Sequence, residues 1–337
     1  MRGLNTAVVI AAGCGILCAA TGEAPGPAIG VRAIIHSVAD LDKTVAFYRD
    51  GLGMQPLGPG GKPMTALPMP RALNEDLSKF TDTHGAKFRN ASFHVPAAGF
   101  DLELTEFTGT PVKKMVPHMQ DPGAETLVLT LRNLDAALDG VKKNGGSVLS
   151  IGGQPMKLGG ETSQSRSVFV RDPDGFMLEL AAAPASNTKS SAEGNILGGR
   201  IGITIKDTEQ SMKFYHDVLG FEVKPARPEF ATNPTIASLI DAKGAHWRIS
   251  SGKVPGSPVS FEFLEFKDVK RKPFDLRVPD PGSPAVSIHV KDVDSTMKAV
   301  AAGGGSIYTR GGEPVKLGAG LGVFVRDPNG LLIELIP

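Results

Sequence analysis

Asp40-Leu-Asp-Lys-Thr-Val-Ala-Phe47-Tyr48-Arg-Asp-Gly-Leu52-Gly53 returns later in the chain as Asp207-Thr-Glu-Gln-Ser-Met-Lys-Phe214-Tyr215-His-Asp-Val-Leu219-Gly220. A second stretch, Val168-Phe-Val-Arg-Asp172-Pro173-Asp-Gly175-Phe-Met-Leu-Glu179-Leu180, returns as Val323-Phe-Val-Arg-Asp327-Pro328-Asn-Gly330-Leu-Leu-Ile-Glu334-Leu335. Between them, Phe100-Asp-Leu-Glu103-Leu-Thr-Glu106-Phe107 is echoed by Ser260-Phe-Glu262-Phe-Leu-Glu265-Phe266. Self-similarity at a long fixed spacing marks a duplicated domain. The polar, turn-rich stretch Pro184 to Asn195 reads as the linker between copies. The first copy also carries a short insertion around Gly58 to Phe80.

Each copy has a repeated inner rhythm. Val31 to Val38 alternates apolar and polar residues as a half-buried strand does. Asp40 is a helix N-cap, and Leu41, Val45, Phe47 and Tyr48 then mark a short helix closed by Gly51 and Gly53. Strands follow near Met54, Lys87 to Val95 and Phe100 to Phe107. The pattern restarts with a strand over Glu125 to Leu131 and a helix over Leu134 to Lys143, then strands near Val148, Ser165 to Val170 and Met177 to Leu180. Asp172-Pro173-Asp174-Gly175 is a turn by residue chemistry, with Pro fixing φ and Gly permitting positive φ. Each copy is therefore two βαβββ units, and the fold class is α+β. The expected domains are residues 30–183 and 196–337.

Composition narrows the function. Lysines and arginines number 36 against 35 acids, a net charge of +1, which gives no electrostatic footprint for nucleic acid. Arg2, the uncharged apolar run Ala7 to Ala20, and small residues at Cys18 and Ala20 have the grammar of a signal peptide spanning residues 1–20. The run is too short to span a bilayer comfortably. The expectation is export to the periplasm or beyond, with lipid attachment at Cys14 as the second reading. The two cysteines, Cys14 and Cys18, both lie in this segment, so the cleaved chain would carry no thiol and no Cys-ligated metal.

The D-L-x-x-x-x-x-F-Y-x-x-x-L-G and R-D-P-D/N-G-x-x-x-E-L motifs resemble those of the vicinal oxygen chelate superfamily. It includes glyoxalase I, the bleomycin-resistance proteins and the extradiol dioxygenases. The resemblance covers Val31 to Pro337 twice. It implies tandem glyoxalase-like domains, each with two βαβββ units forming an eight-stranded, cup-shaped mixed sheet around a small-molecule site. Metal-bearing relatives place His or Gln, Glu, His and Glu at four points in the cup. Counting from the motifs puts those points on Ala33, Glu103, Thr126 and Glu179 in the first copy, and on Arg200, Glu262, Ala285 and Glu334 in the second. The carboxylate positions survive and the imidazole positions do not. No tightly held metal or other cofactor is therefore expected, though paired carboxylates could hold a weak divalent cation. A dioxygenase, which needs a two-His facial triad, is disfavoured.

The resemblance leaves three functions open. One is a binding protein for a small, partly apolar molecule. The second is a lyase or isomerase using Glu103 with Glu179, or Glu262 with Glu334, with one carboxyl raised by its neighbour. The third is a partner-binding module whose cups are filled by side chains. His289, four residues after Ala285 on one strand face, is a candidate acid or base, and Thr130 is its counterpart in the first copy. Thr126, Thr130, Arg200, Glu262 and Glu334 are the expected ligand contacts. Arg200 is expected to pair with both Glu262 and Glu334, whereas Ala33 leaves the first copy without such a cation. His36 should face the helices. The chain is expected either as a monomer with paired domains or as a homodimer.

Overall fold

The computed structural model describes residues 26–159, 164–184, 193–318 and 320–337. The stretch read as a signal peptide, residues 1–20, and most of the expected linker lie outside the described residues. Among the described residues, no helix is long and apolar enough to cross a membrane.

The four units follow one another as expected. Unit 1 runs β1 (Ala28–Val38), α1 (Leu41–Ala46, continued by a π-type turn over Phe47–Gly51), β2 (Pro56–Leu57), α2 (Glu75–Phe80), β3 (Lys87–His94) and β4 (Asp101–Thr108). Unit 2 runs β5 (Glu125–Leu131), α3 (Leu134–Lys143), β6 (Ser147–Val148), β7 (Arg166–Arg171) and β8 (Met177–Ala182). Unit 3 runs β9 (Ile196–Ile205), α4 (Thr208–Lys213), β10 (Glu222–Lys224), α5 (Pro234–Leu239), β11 (His246–Lys253) and β12 (Ser260–Lys267). Unit 4 runs β13 (Pro284–Val290), α6 (Val293–Ala302), β14 (Ser306–Ile307), β15 (Gly320–Arg326) and β16 (Leu332–Ile336).

Local chemistry sets the helix starts. Asp40, Asn133, Asp207 and Asp292 each accept a backbone N–H three residues on, so every unit's first helix opens on an acidic or amide N-cap. The Asp-Pro turns are fixed in a similar way. The Asp172 carboxylate accepts from the N–H groups of Asp174 and Phe176, and Asp327 from those of Asn329 and Leu331. Gly175 and Gly330 then turn the chain at φ +98, where a side chain would be strained.

The two recurring motifs meet in space. Tyr48 donates to Asp172 at 3.2 Å and Tyr215 to Asp327 at 3.0 Å, joining the helix of one unit to the late turn of the next. His36 is fully buried in the same joint, 2.8 Å from Asp172 and stacked on Phe176 at 4.7 Å. It faces the helices, as alternation predicts. α3 closes on the unit 1 helix end so tightly that a Cβ on Gly140 would stand 2.1 Å from the Gly51 carbonyl oxygen. The two units of one repeat are thus held through their helices and turns.

The sheets are paired differently. The first sheet has the order β14-β15-β16-β13-β1-β4-β3-β2 and the second β10-β11-β12-β9-β5-β8-β7-β6, with short strands added at the edges. β1 pairs antiparallel with β13, and β9 with β5. The mixed eight-stranded cups are as expected. Their composition corrects the reading by repeat: one cup joins units 1 and 4 and the other joins units 2 and 3. Both cups are completed within one chain.

Candidate functional site

This crossing redistributes the four glutamates. Glu103 and Glu179 lie in different sheets, and so do Glu262 and Glu334. The pairs that face each other are Glu103 with Glu334 in the first cup and Glu179 with Glu262 in the second.

An arginine spans each pair. In the second cup Arg200 Nε lies 2.8 Å from Glu262 Oε1, and Nη2 lies 3.7 Å from Glu179 Oε2. The Nε contact is off the N–H direction, so this is an ion pair without a forked hydrogen bond. Arg200 pairs with Glu262 as expected; its second partner is Glu179, because Glu334 belongs to the other sheet. Burial raises the Glu179 pKa, Arg200 opposes that shift and Glu262 adds to it. Ser167 donates to the other Glu179 oxygen at 2.7 Å.

The first cup has its own cation, contrary to the reading from Ala33. Arg32 donates from Nη1 to Glu103 at 2.6 Å, from Nη2 to Glu334 at 3.0 Å and from Nε to Ser287 at 3.0 Å. Ser287 also donates to Glu334. A β-bulge explains the miss. The β1–β13 register slips between Val31 and Ala33, so Arg32 is the extra residue. A bulge re-aims a side chain that strict alternation would send to the far face. Burial pulls the Arg32 pKa down, but Glu334 and Glu103 outweigh it and the guanidinium is held more firmly charged than a free one.

The remaining expected residues fall outside these floors. His289 packs at the rim of the first sheet with its ring against the Pro337 carbonyl, remote from Glu262 and Arg200. It is therefore no acid or base for the cup assigned to it. Thr130 sits on β5 opposite Gly198, on the strand face shared with Thr126 but further along. Thr126 does lie in the second cup, buried opposite Gly202, with its hydroxyl on the Met119 sulfur at 3.8 Å.

The two cups differ in the residues that line them. In the first, a cavity of about 280 Å³ is walled by Leu77, Phe80, Phe88, Phe107 and Phe324 and also lined by Glu103 and Glu334. At matching registers the second cup has Trp247 where the first has Phe88, and Met119 where it has Val278. There Trp247, Met119, Met177, Phe169, Ile236 and Leu239 pack into one buried cluster.

The donor set of each cup floor does not fit a tightly held transition metal. Each carboxylate pair already holds a guanidinium, which delivers the positive charge and the hydrogen bonds a cation would bring. Ala285 and Thr126 offer no imidazole. Among the described residues, one group of potential ligands does cluster, His36 with Asp172 and Asp174. It is fully buried in the joint between units 1 and 2, where Tyr48 and Thr44 already donate to the carboxylates.

Two mixed sheets of βαβββ units, each forming a cup with paired carboxylates on its floor, define the glyoxalase class of fold. The profile of the Glyoxalase/Bleomycin resistance protein/Dioxygenase superfamily matches residues 32–180 and 199–335, and the chain belongs to this superfamily. It is 24% identical over 201 residues to the lactoylglutathione lyase GLX1 of Arabidopsis thaliana, a match spanning 58% of this chain and 57% of that protein. It is 26% identical over 165 residues to a 2-epi-5-epi-valiolone epimerase of Actinomyces, spanning 49% of this chain and 85% of that protein. The chain thus spans little more than half the length of the plant lyase. Among solved structures, glyoxalase I from Zea mays superposes with a TM-score of 0.55 at 18% identity, covering 91% of each chain. That likeness concerns the fold.

Proposed function

We propose that this protein binds a small, partly apolar molecule in the cup formed by units 1 and 4, and that the cup of units 2 and 3 is a filled, structural copy. The cavity walled by Phe80, Phe88 and Phe107 over a polar floor carries this reading. Apolar walls with a few convergent polar groups are the usual anatomy of a ligand site. The arginines support binding without a resident metal, because each carboxylate pair is already neutralised in part. The names of the relatives, a lyase and an epimerase, favour a second reading in which Glu334, which borders the cavity, moves a proton of the bound molecule. Turnover in metal-free buffer would distinguish the two.

Filling the first cup with the residues of the second tests the assignment. The neutral fluorophore N-phenyl-1-naphthylamine should bind the wild-type chain at one saturable site. The double variant Phe88→Trp with Val278→Met should weaken it at least about tenfold, a loss of about 1.4 kcal/mol. Equal binding by both proteins would place the dye elsewhere and sink the assignment.

We also propose that the chain is exported, on the strength of Arg2 and the apolar run Ala7 to Ala20. N-terminal sequencing of protein from its native host should begin near Thr21. Retention of Met1 would refute export by this route.

A further inference from the structure

The first cup's charges do not all line its cavity. Glu103 and Glu334 line the cavity, but Arg32 is absent from its walls. All three guanidinium nitrogens are engaged, with Ser287, Glu103 and Glu334. Glu334 spends one oxygen, Oε2, on Arg32 and Ser287. Its other oxygen, Oε1, accepts no hydrogen bond among the described residues and stays open to solvent. Glu103 Oε1 is met by the Asn90 amide at 3.2 Å. The cavity lining therefore presents a solvent-facing carboxylate oxygen and one more carboxylate than its bound guanidinium balances. Lys316, the one lysine or arginine along the walls, is an exposed residue of the edge strand Val315–Leu317, where solvent screens it.

We propose, building on the reading of this cup as a ligand site, that its ligand is a compact aromatic or aliphatic amine seated with its ammonium on Glu334. The ammonium replaces water at Oε1 with a charge-assisted hydrogen bond. Phe80, Phe107 and Phe324 add aromatic rings to the lining, whose negative quadrupole favours a cation, while Phe88 already carries the Arg71 guanidinium over one face at 4.6 Å. A carboxylate ligand entering the same space meets two carboxylates first, and the guanidinium cannot turn toward it without releasing Glu103 or Glu334. The volume of about 280 Å³ lies at or below the low end of sites for drug-sized ligands, which favours a single-ring molecule.

Three probes of nearly equal shape test this on the full chain by isothermal titration calorimetry: 2-phenylethylamine, 2-phenylethanol and phenylacetate. The amine should bind at least about tenfold tighter than the alcohol, the scale of one charge-assisted hydrogen bond. Phenylacetate should be the weakest of the three. In Glu334→Gln the amine's advantage should vanish while the alcohol binds as before. If that variant does not fold, as a melting curve will show, the wild-type series decides alone. Phenylacetate binding as tightly as the amine would overturn the proposal, as would an amine preference that survives Glu334→Gln. Saturable dye binding without any amine preference would overturn only the ligand class. Failure of dye and all three probes would overturn the ligand site itself.

Discussion

Replacing Arg200 by Ala should lower the unfolding free energy at neutral pH by about 3 kcal/mol, the lower end of what breaking a buried ion pair costs. Arg200 is 20% exposed, Glu262 23% and Glu179 only 4%, so the pair is mostly but not wholly removed from water. The loss arises because two carboxylates would then face each other with one already fully desolvated. Its pH dependence separates this cause from lost packing. With the guanidinium gone, burial and the neighbouring charge both push the Glu179 pKa above its unfolded value. A group raised in the folded state is harmless below the unfolded pKa of about 4.3 and costs stability as pH rises above it. The deficit of Arg200→Ala relative to wild type should therefore shrink toward acid and widen toward neutrality. Adding Glu179→Gln should recover much of it, which a double-mutant cycle measures. A deficit below about 0.5 kcal/mol, within the ordinary range of surface substitutions, would show that the guanidinium is not what holds the pair.

The repeat, its four units and their capped helices were legible in the sequence because each rests on local chemistry: Asp40 and Asp207 as N-caps, Asp172-Pro173 and Asp327-Pro328 as turns. The partner of each unit was not legible. Two copies of one motif set present equivalent strands, Val31 to Val38 and Ile201 to Ile205, and nothing in their alternation says whether β1 lies against β5 or β13. The glutamates were therefore found individually and paired wrongly. Arg32 was missed because counting assumes unbroken alternation, and a bulge shifts the inward face by one residue. The sequence did carry a faint signal, an arginine one place before the counted position in one copy and on it in the other. The bulkier residues of the second cup were also hidden, since Trp247 and Met119 read as ordinary core residues until their register against Phe88 and Val278 is known.

Glu125 was passed over for a related reason: a glutamate at the start of a strand reads as solvated. The structure buries it completely, and neither carboxylate oxygen finds a hydrogen-bond partner among the described residues. Burial alone drives its pKa well above the usual carboxylate range. The folded protein then holds a proton that the unfolded chain releases above about pH 4.3, so stability should fall as pH rises from there. The slope for one such group is at most about 1.4 kcal/mol per pH unit. Glu125→Gln removes the titration but keeps a polar group, and should flatten the slope. Glu125→Met removes both, and should raise stability at pH 7 by about 1–3 kcal/mol, the usual cost of an unsatisfied buried group. The equivalent position in the second repeat is Pro284, so this place in the fold does not require a carboxyl. Denaturant melts of the three proteins between pH 4 and pH 8 provide the measurement. Two other buried carboxyls also have raised pKa values, Glu179 and Asp327. If Glu125→Gln keeps the full wild-type slope, the titration belongs to one of those. If Glu125→Met is destabilised instead, the carboxyl is partnered in solution and its isolation here is not the state that determines stability.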